Sequence, residues 1–404
     1  MNACGLIVEY NPFHNGHLYH LQASKEKMKA DVTVAVMSGN FLQRGEPAII
    51  DKFSRTNAAL QSGVDVVVEL PHIFACQYAD LFSKGAVATL TALGVDSLCF
   101  GSETGEIDPF LDGFKKWEKG KEQFQKTLKE GLQSGLSFPQ ASREAYQKLD
   151  LTNDTFDLSQ PNNILGFSYV KAIQELNSPI NPETVKRTKS QYHDETIEHS
   201  IASATSIRQE LFKVHQVTDL AKKALPQATI NQLHHYQEEN NRWHEWEIYF
   251  PYLLYLVKVT PVEMLRDIHG VIEGLEYRLR ETAHQASHFS EWMSLLKTKR
   301  YTHTRLQRVF VHLLTQLKKS EMEQVPSISE APYVRLLGMN QKGRQYINQQ
   351  KKQMNVPLIT NLQDLTHDFL TIEERAADAY YAPLNPEVAK RLRKQELSGP
   401  LLVE

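Results

Sequence analysis

Cysteine is scarce in this 404-residue chain. Cys4, Cys76 and Cys99 stand far apart, and no two share a C-x-x-C spacing. That excludes a disulfide framework or a zinc knuckle and is the usage expected of a reducing, cytoplasmic compartment. Long apolar runs are lacking as well. No window approaches the roughly 20 consecutive apolar residues that a membrane span needs, and residues 1–9 carry no basic flank of the kind that opens a secretory signal. Net charge is small: 45 Lys+Arg against 48 Asp+Glu leave -3. A uniformly basic nucleic-acid coat is therefore excluded, but local basic patches are not. There is no internal repeat and no low-complexity tract. With 41% hydrophobic, 23% charged and 9% aromatic residues, the chain reads as globular rather than disordered. Its length suits two or three domains of about 100–200 residues each.

What is present falls into two textures. Residues 4–9 (CGLIVE), 32–37 (VTVAVM), 64–70 (VDVVVEL) and 97–100 (SLCF) are short apolar or β-branched runs bounded by Gly, Asp or Asn. Such continuous apolar character fits strands buried on both faces of a parallel sheet. Helical patterns over residues 17–29, 54–61 and 79–93 separate them, which makes βαβ units and an α/β, Rossmann-like doubly wound sheet. A fifth strand is expected at 184–189, after a charged helical stretch at 108–149 and a helix at 163–176. From about residue 219 strand-like runs nearly vanish and amphipathic patterns rich in Gln, His and Lys take over. The expected division is an α/β domain over 1–215 and a mainly helical domain over 216–404, with one short strand near 356–360.

The most informative segment is Ile7-Val8-Glu9-Tyr10-Asn11-Pro12-Phe13-His14-Asn15-Gly16-His17-Leu18-Tyr19-His20, where the first strand ends and the first helix begins. In open α/β sheets ligands bind at the carboxyl ends of strands. Gly16 lets backbone approach a phosphate closely, and the following helix presents free N–H groups and the positive end of its dipole. His14 and His17, at i and i+3, can donate to phosphate oxygens and stabilise a departing pyrophosphate; positioning and electrostatics carry most of such chemistry. A metal site is the alternative, but no third ligand of suitable kind is evident nearby. A second element, Ser203-Ala204-Thr205-Ser206-Ile207-Arg208, offers hydroxyls to cap a helix or bind phosphate and an arginine to neutralise charge.

Longer strings make a resemblance specific. The segment above, Met37-Ser38-Gly39-Asn40-Phe41, Arg44-Gly45-Glu46-Pro47-Ala48, Phe100-Gly101-Ser102-Glu103, Pro161-Asn162-Asn163-Ile164-Leu165-Gly166, Lys186-Arg187, Lys297-Thr298-Lys299-Arg300-Tyr301-Thr302 and Gly343-Arg344-Gln345-Tyr346 together resemble the bacterial tRNA(Met) cytidine acetate ligase family of the H-x-G-H nucleotidyltransferase superfamily. The resemblance spans most of the chain. It implies an enzyme that uses ATP, with Mg2+, to convert acetate to acetyl-adenylate and passes the acetyl group to N4 of the wobble cytidine of elongator tRNA(Met). It further implies that residues 7–20 line the ATP site, that His14 and His17 act in catalysis, and that Gly101, Asn162, Arg187, Thr188 and Ser206 contact ATP. Asn163 stays open as the alternative to Asn162.

The residues leave other readings in place. Arg44, Lys52 and Arg55 could bind an anion or form a solvated basic face. Glu69 or Asp80 could hold magnesium, at a spacing that is not diagnostic. Three basic clusters lie in the helical half: residues 297–308, with Lys297, Lys299, Arg300, Arg305 and Arg308 and no acid; Lys342, Arg344, Lys351 and Lys352; and Lys390, Arg391, Arg393 and Lys394. Basic side chains meet phosphate and interleaved aromatics can stack on bases, so Lys297, Lys299, Arg300, Arg305 and Arg344 are the candidate RNA contacts. Trp243, Trp246, Tyr249, Phe250 and Tyr252 are expected in the core. Two other functions compete: an adenylyltransferase ending at a dinucleotide-type product, and a non-catalytic RNA-binding protein. Oligomeric state is left open by the sequence.

Overall fold

The computed structural model describes residues 1–152, 156–187 and 201–404. Its centre is a sheet of eight strands: β1 (Ala3–Val8), β2 (Val32–Ser38), β3 (Val66–Leu70), β4 (Ser97–Ser102), β5 (Asn181–Lys186), β6 (Val334–Asn340), β7 (Leu358–Ile359) and β8 (Leu401–Val403). They run in the order β5-β4-β1-β2-β3-β6-β7, with β8 also paired to β6. β1 to β5 are mutually parallel, as the near-continuous apolar strands predict. The order reverses at β1, which lies between β2 and β4. That is the switch point at which a crevice opens at the carboxyl ends of the strands.

The two faces follow from the period of two along each strand. Leu6 and Val8 pack with Leu18 and Leu21 of α1 (Asn15–Met28) and Leu60 of α2 (Lys52–Gln61). Ala3 and Ile7 join the opposite face, with Leu90 of the Ala79–Ala92 helix and Val170 of the Pro161–Glu175 helix. Gly5 is on that second face; a Cβ there would sit 2.8 Å from Leu90 Cδ2. The observed helices begin within two residues of the expected ones. α1 differs instructively: it starts at Asn15 because His14 is its cap.

The later half is mainly helical, as expected, and it also completes the sheet. β6 pairs antiparallel with β3 and was not legible in the sequence, because Arg335 interrupts its apolar run. Arg335 is only 1% exposed. Its guanidinium donates to Glu69 Oε2 at 2.9 Å and to Glu396 Oε2 at 2.7 Å. Lys52 meets the same two carboxylates, at 2.7 Å to Glu69 and 2.9 Å to Glu396. Two cations and two anions are thus withdrawn from water together at the end of β3. Burial alone would raise the Glu396 carboxyl, but Lys52 and Arg335 hold it below its ordinary range. Lys52 is therefore no part of a solvated basic face. Nor is Arg55, 1% exposed, which donates to the carbonyls of Glu9, Ser38, Gly39 and Ile50 and so ties the ends of β1 and β2 to α2. The cluster links residues 52 and 69 to residues 335 and 396, across the whole chain.

Removing one member of a compensated buried cluster leaves a charge without its partner. Arg335→Ala is expected to lower unfolding free energy by about 3–5 kcal/mol in urea titration; a loss below about 1 kcal/mol would show the cluster to be energetically idle.

Candidate active site

β1 delivers the chain to the switch point. Glu9 follows it, Tyr10 takes a left-handed turn (φ 50°), and His14 ends the loop as the N-cap of α1. Here an imidazole does the work usually given to Ser, Thr, Asp or Asn. His14 Nδ1 accepts from Gly16 N–H at 3.0 Å, and His17 Nδ1 accepts from His14 N–H at 3.3 Å. The two rings stack with centroids 3.8 Å apart, and Tyr10 and Phe13 brace His17 from the side. Gly16 is required sterically, since a Cβ would lie 2.8 Å from His14 Cε1.

Those bonds fix the tautomer. A neutral imidazole that accepts at Nδ1 carries its proton on Nε2. Both rings are held neutral: burial, then Arg187 and Arg208, push His14 down to about 3. His17 is pushed well below its ordinary value by burial, His14 and Arg187. The result is two N–H donors fixed side by side above the N-terminus of a helix, ringed by positive charge. That arrangement suits a polyphosphate.

Other predicted residues gather around it. Gly101 is the penultimate residue of β4, and Arg187, just past β5, lies across it; a Cβ on Gly101 would come within 3.2 Å of Arg187 Cγ. Asn163 is 2% exposed and both polar atoms of its amide are engaged, Oδ1 accepting from Glu103 N–H and Nδ2 donating to Asp157 O. Asn162 is the more open of the two and is held by Glu103 Oε1 at 2.7 Å. Glu103 thus organises the start of the Pro161–Glu175 helix; the string ending in Glu103 was the available signal for it. Thr188 lies outside the described residues. Ser206 is 2% exposed; its N–H donates to Ser203 Oγ and its hydroxyl to Ser203 O, which caps the Ala204–Val214 helix. One turn on, Arg208 donates to Asn11 O and pairs with Glu46, each at 2.9 Å.

The remaining candidates separate. Glu69 lies in the buried cluster, and Asp80 pairs with Lys171 at 2.6 Å, so neither fits as a magnesium ligand. Among the described residues no group of three or more His, Cys, Asp or Glu could hold a metal ion. Lys297, Lys299 and Arg300 are exposed, and Arg305 stacks on Tyr301 and lies 3.6 Å from Glu273. These residues precede or begin the His303–Leu314 helix, whose Arg308 donates to Gln43 O at 2.8 Å. That helix presses on Gly45 (φ 79°), where a Cβ would clash with Arg308 N. Arg308 therefore anchors the helix to the loop after β2, at the carboxyl edge of the sheet. Arg344 is exposed too, but its helix Gln341–Gln350 packs at the other edge: Tyr346 donates to Leu93 O and Gly343 abuts Asp65 O. Strands of six residues put about 20 Å between the two edges. In the third cluster Arg391 and Arg393 are paired with Glu239 and Asp378. Trp243, Tyr249 and Phe250 are core as expected, whereas Tyr252 is 41% exposed.

Seven histidines, His14, His17, His20, His72, His244, His269 and His312, are all pushed below their ordinary value, chiefly by burial. An unfolded chain takes up their protons first as pH falls through about 6.5, so stability is full above that pH and drops below it. Urea titration between pH 7 and 5 is expected to show this loss, with a shallower slope in His17→Gln; a pH-independent midpoint would contradict it.

Residues 1–396 match the family model for HIGH Nucleotidyl Transferase. The tRNA(Met) cytidine acetate ligase of Oceanobacillus iheyensis is 50% identical over 404 residues, covering all of both chains. The one from Bacillus subtilis is 43% identical over 399 residues, 98% of this chain and 96% of that protein. Among solved structures, Thermotoga maritima TmcAL in its apo form superposes with a TM-score of 0.90 at 32% identity, covering 100% of each chain. The same protein bound with alpha-thio ATP gives 0.89 over the same extent. Matched along its whole length in sequence and in fold, the chain belongs to the tRNA(Met) cytidine acetate ligase family of HIGH nucleotidyltransferases.

Proposed function

We propose that this chain activates acetate with ATP as acetyl-adenylate and acetylates N4 of the wobble cytidine of elongator tRNA(Met), releasing AMP and pyrophosphate. The observation that carries the reading is the stacked His14–His17 pair, fixed as Nε2–H donors at the N-terminus of α1. Acetate is a poor electrophile, and adenylation gives it a good leaving group. Residues 7–20 line the nucleotide site, and the two histidines with Arg187 stabilise charge as pyrophosphate departs. Arg208, already paired with Glu46, adds positive potential and braces the turn through Asn11 O. Gly101 lets the Arg187 side chain lie across the end of β4, and Asn162 rather than Asn163 is the proposed ATP contact, since both polar atoms of the Asn163 amide are engaged. Thr188 is proposed on the resemblance alone. Ser206 contributes by setting the helix start that carries Arg208. The ATP analogue on the Thermotoga protein and the names of the relatives support ATP, acetate and tRNA(Met) as substrates.

The helical half, 216–404, is the proposed RNA-binding part. Lys297, Lys299, Arg300 and Arg305 are the favoured contacts because Arg308 ties their helix to the catalytic edge. Arg344, at the far edge, would meet RNA only at a distance from the chemistry. A dinucleotide-forming adenylyltransferase would have no use for this anchored basic loop, and a non-catalytic RNA binder would have none for the oriented histidines.

Incubation with ATP, labelled acetate and a tRNA(Met) transcript is expected to yield acetylcytidine in the RNA; label in another acceptor, or none, would contradict the reading. His14→Asn keeps an N-cap and removes the imidazole Nε2–H donor. It is expected to stay within about 1 kcal/mol of the parent in stability while adenylate formation falls about 10²–10³-fold. Lys299→Glu with Arg300→Glu should weaken tRNA binding about tenfold and flatten its salt dependence by about two counterions, with acetyl-adenylate formation intact; unchanged affinity would remove the loop from the RNA surface.

A further inference from the structure

Acetyl transfer leaves a positive charge on the attacking nitrogen unless a base takes its proton, and the histidines cannot serve. In both rings Nδ1 already accepts a backbone N–H and Nε2 carries the proton. Most carboxylates at this edge are committed as well. Glu69 and Glu396 are bound by Lys52 and Arg335, Glu46 is paired with Arg208, and Asp80 with Lys171. Both oxygens of Glu103 accept from Asn162 and Asn163.

Glu9 differs. It stands one residue beyond β1, five before His14. Its Oε1 is held at 2.7 Å by Gln43 N–H, while Oε2 has no hydrogen-bond or ion-pair partner among the described residues. The residue keeps part of its surface open. By strand parity its side chain follows Gly5 and Ile7, toward the helices Ala79–Ala92 and Pro161–Glu175 and away from the face on which α1 packs. The orienting bond from Gln43 links it to the same loop that Arg308 grips from the helix beside the basic loop. A carboxylate with one oxygen fixed and one free, across the strand tip from the phosphate donors and tethered to the RNA-side loop, has the placement a base for the acceptor needs.

We propose that Glu9 is the general base that accepts the amine proton when N4 of cytidine attacks the acetyl-adenylate. This rests on the function proposed above. The N4–carbon bond forms and the bond from acetyl carbon to the α-phosphate oxygen breaks. AMP leaves with that electron pair, and one N4 proton passes to Glu9 Oε2. Burial and Glu46 raise the Glu9 carboxyl above its ordinary range, the Gln43 N–H, Arg44 and Arg208 oppose this, and Arg55, Arg308, Cys76 and Tyr169 also lie within electrostatic reach. The net rise makes the Glu9 carboxylate a stronger base than an ordinary one.

Glu9→Gln preserves an oxygen for Gln43 N–H and abolishes proton acceptance. Two rates are compared: single-turnover transfer from supplied acetyl-adenylate to the tRNA(Met) transcript, and acetate-dependent exchange of labelled pyrophosphate into ATP. The ratio of transfer to exchange is expected to fall about 10²-fold or more, and the acid limb of the transfer rate against pH to disappear. Transfer at the parent rate, or a fall in exchange as large as the fall in transfer, would overturn the assignment, the latter by limiting Glu9 to lining the nucleotide site with the rest of residues 7–20. A parent chain without acetate-dependent exchange would overturn the acetate reading itself and this base with it.

Discussion

The N–H groups of Gly16 and His14 point at the Nδ1 atoms of His14 and His17, and the properties of the site depend on that direction. Because the backbone occupies Nδ1, the protons sit on Nε2, aimed away from the helix. Because the rings are buried beside Arg187 and Arg208, they stay neutral. A protonated imidazole would bind a polyphosphate more strongly before reaction than is useful for turnover; a neutral donor in a positive surround gains most as charge builds on the leaving group. The cap of α1 and the donor pair are one structure, so helix stability and the proposed phosphate chemistry are tied to the same side chain.

Holding that turn requires the strand ends to be rigid, and the rest of the fold supplies this. Arg55 satisfies carbonyls at the ends of β1 and β2 from below. The Lys52–Glu69–Arg335–Glu396 cluster closes the neighbouring edge with residues drawn from both ends of the chain. Buried charge of this kind is weak evidence for stability in itself. Its consequence here is connectivity: in the pairing of β6 with β3, Arg335 and Lys52 meet both Glu69 and Glu396. The helical half is thereby held against the sheet, and the loop at Gln43 and Gly45 is pinned under the His303–Leu314 helix.

Much of the α/β half was legible. Valine-rich runs in β2 and β3 and helical spacing between them are local signals, and a parallel sheet follows from them. The H-x-G-H turn was legible because its chemistry is concentrated in ten consecutive residues. β6 was not, since a strand broken by arginine has no apolar signature until its carboxylate partners are known. The same holds for Lys52 and Arg55, which composition alone would place in water. Among the basic clusters, charge counting could not distinguish the loop at Lys297–Arg305 from Arg344, which stands at the opposite edge of the sheet, or from Arg391 and Arg393, which are matched with acids.

By itself the sequence determined the strand–turn–helix that carries His14 and His17, because short-range sterics and hydrogen bonding set it. It also determined the division of texture near residue 216. The tertiary structure alone decided that the histidines stay neutral, which asparagine is left open, which charges are buried, and which basic loop lies toward the carboxyl edge of the sheet. Each of those depends on partners tens or hundreds of residues away, and charge and hydrogen-bond satisfaction are properties of an environment that no local stretch of sequence contains.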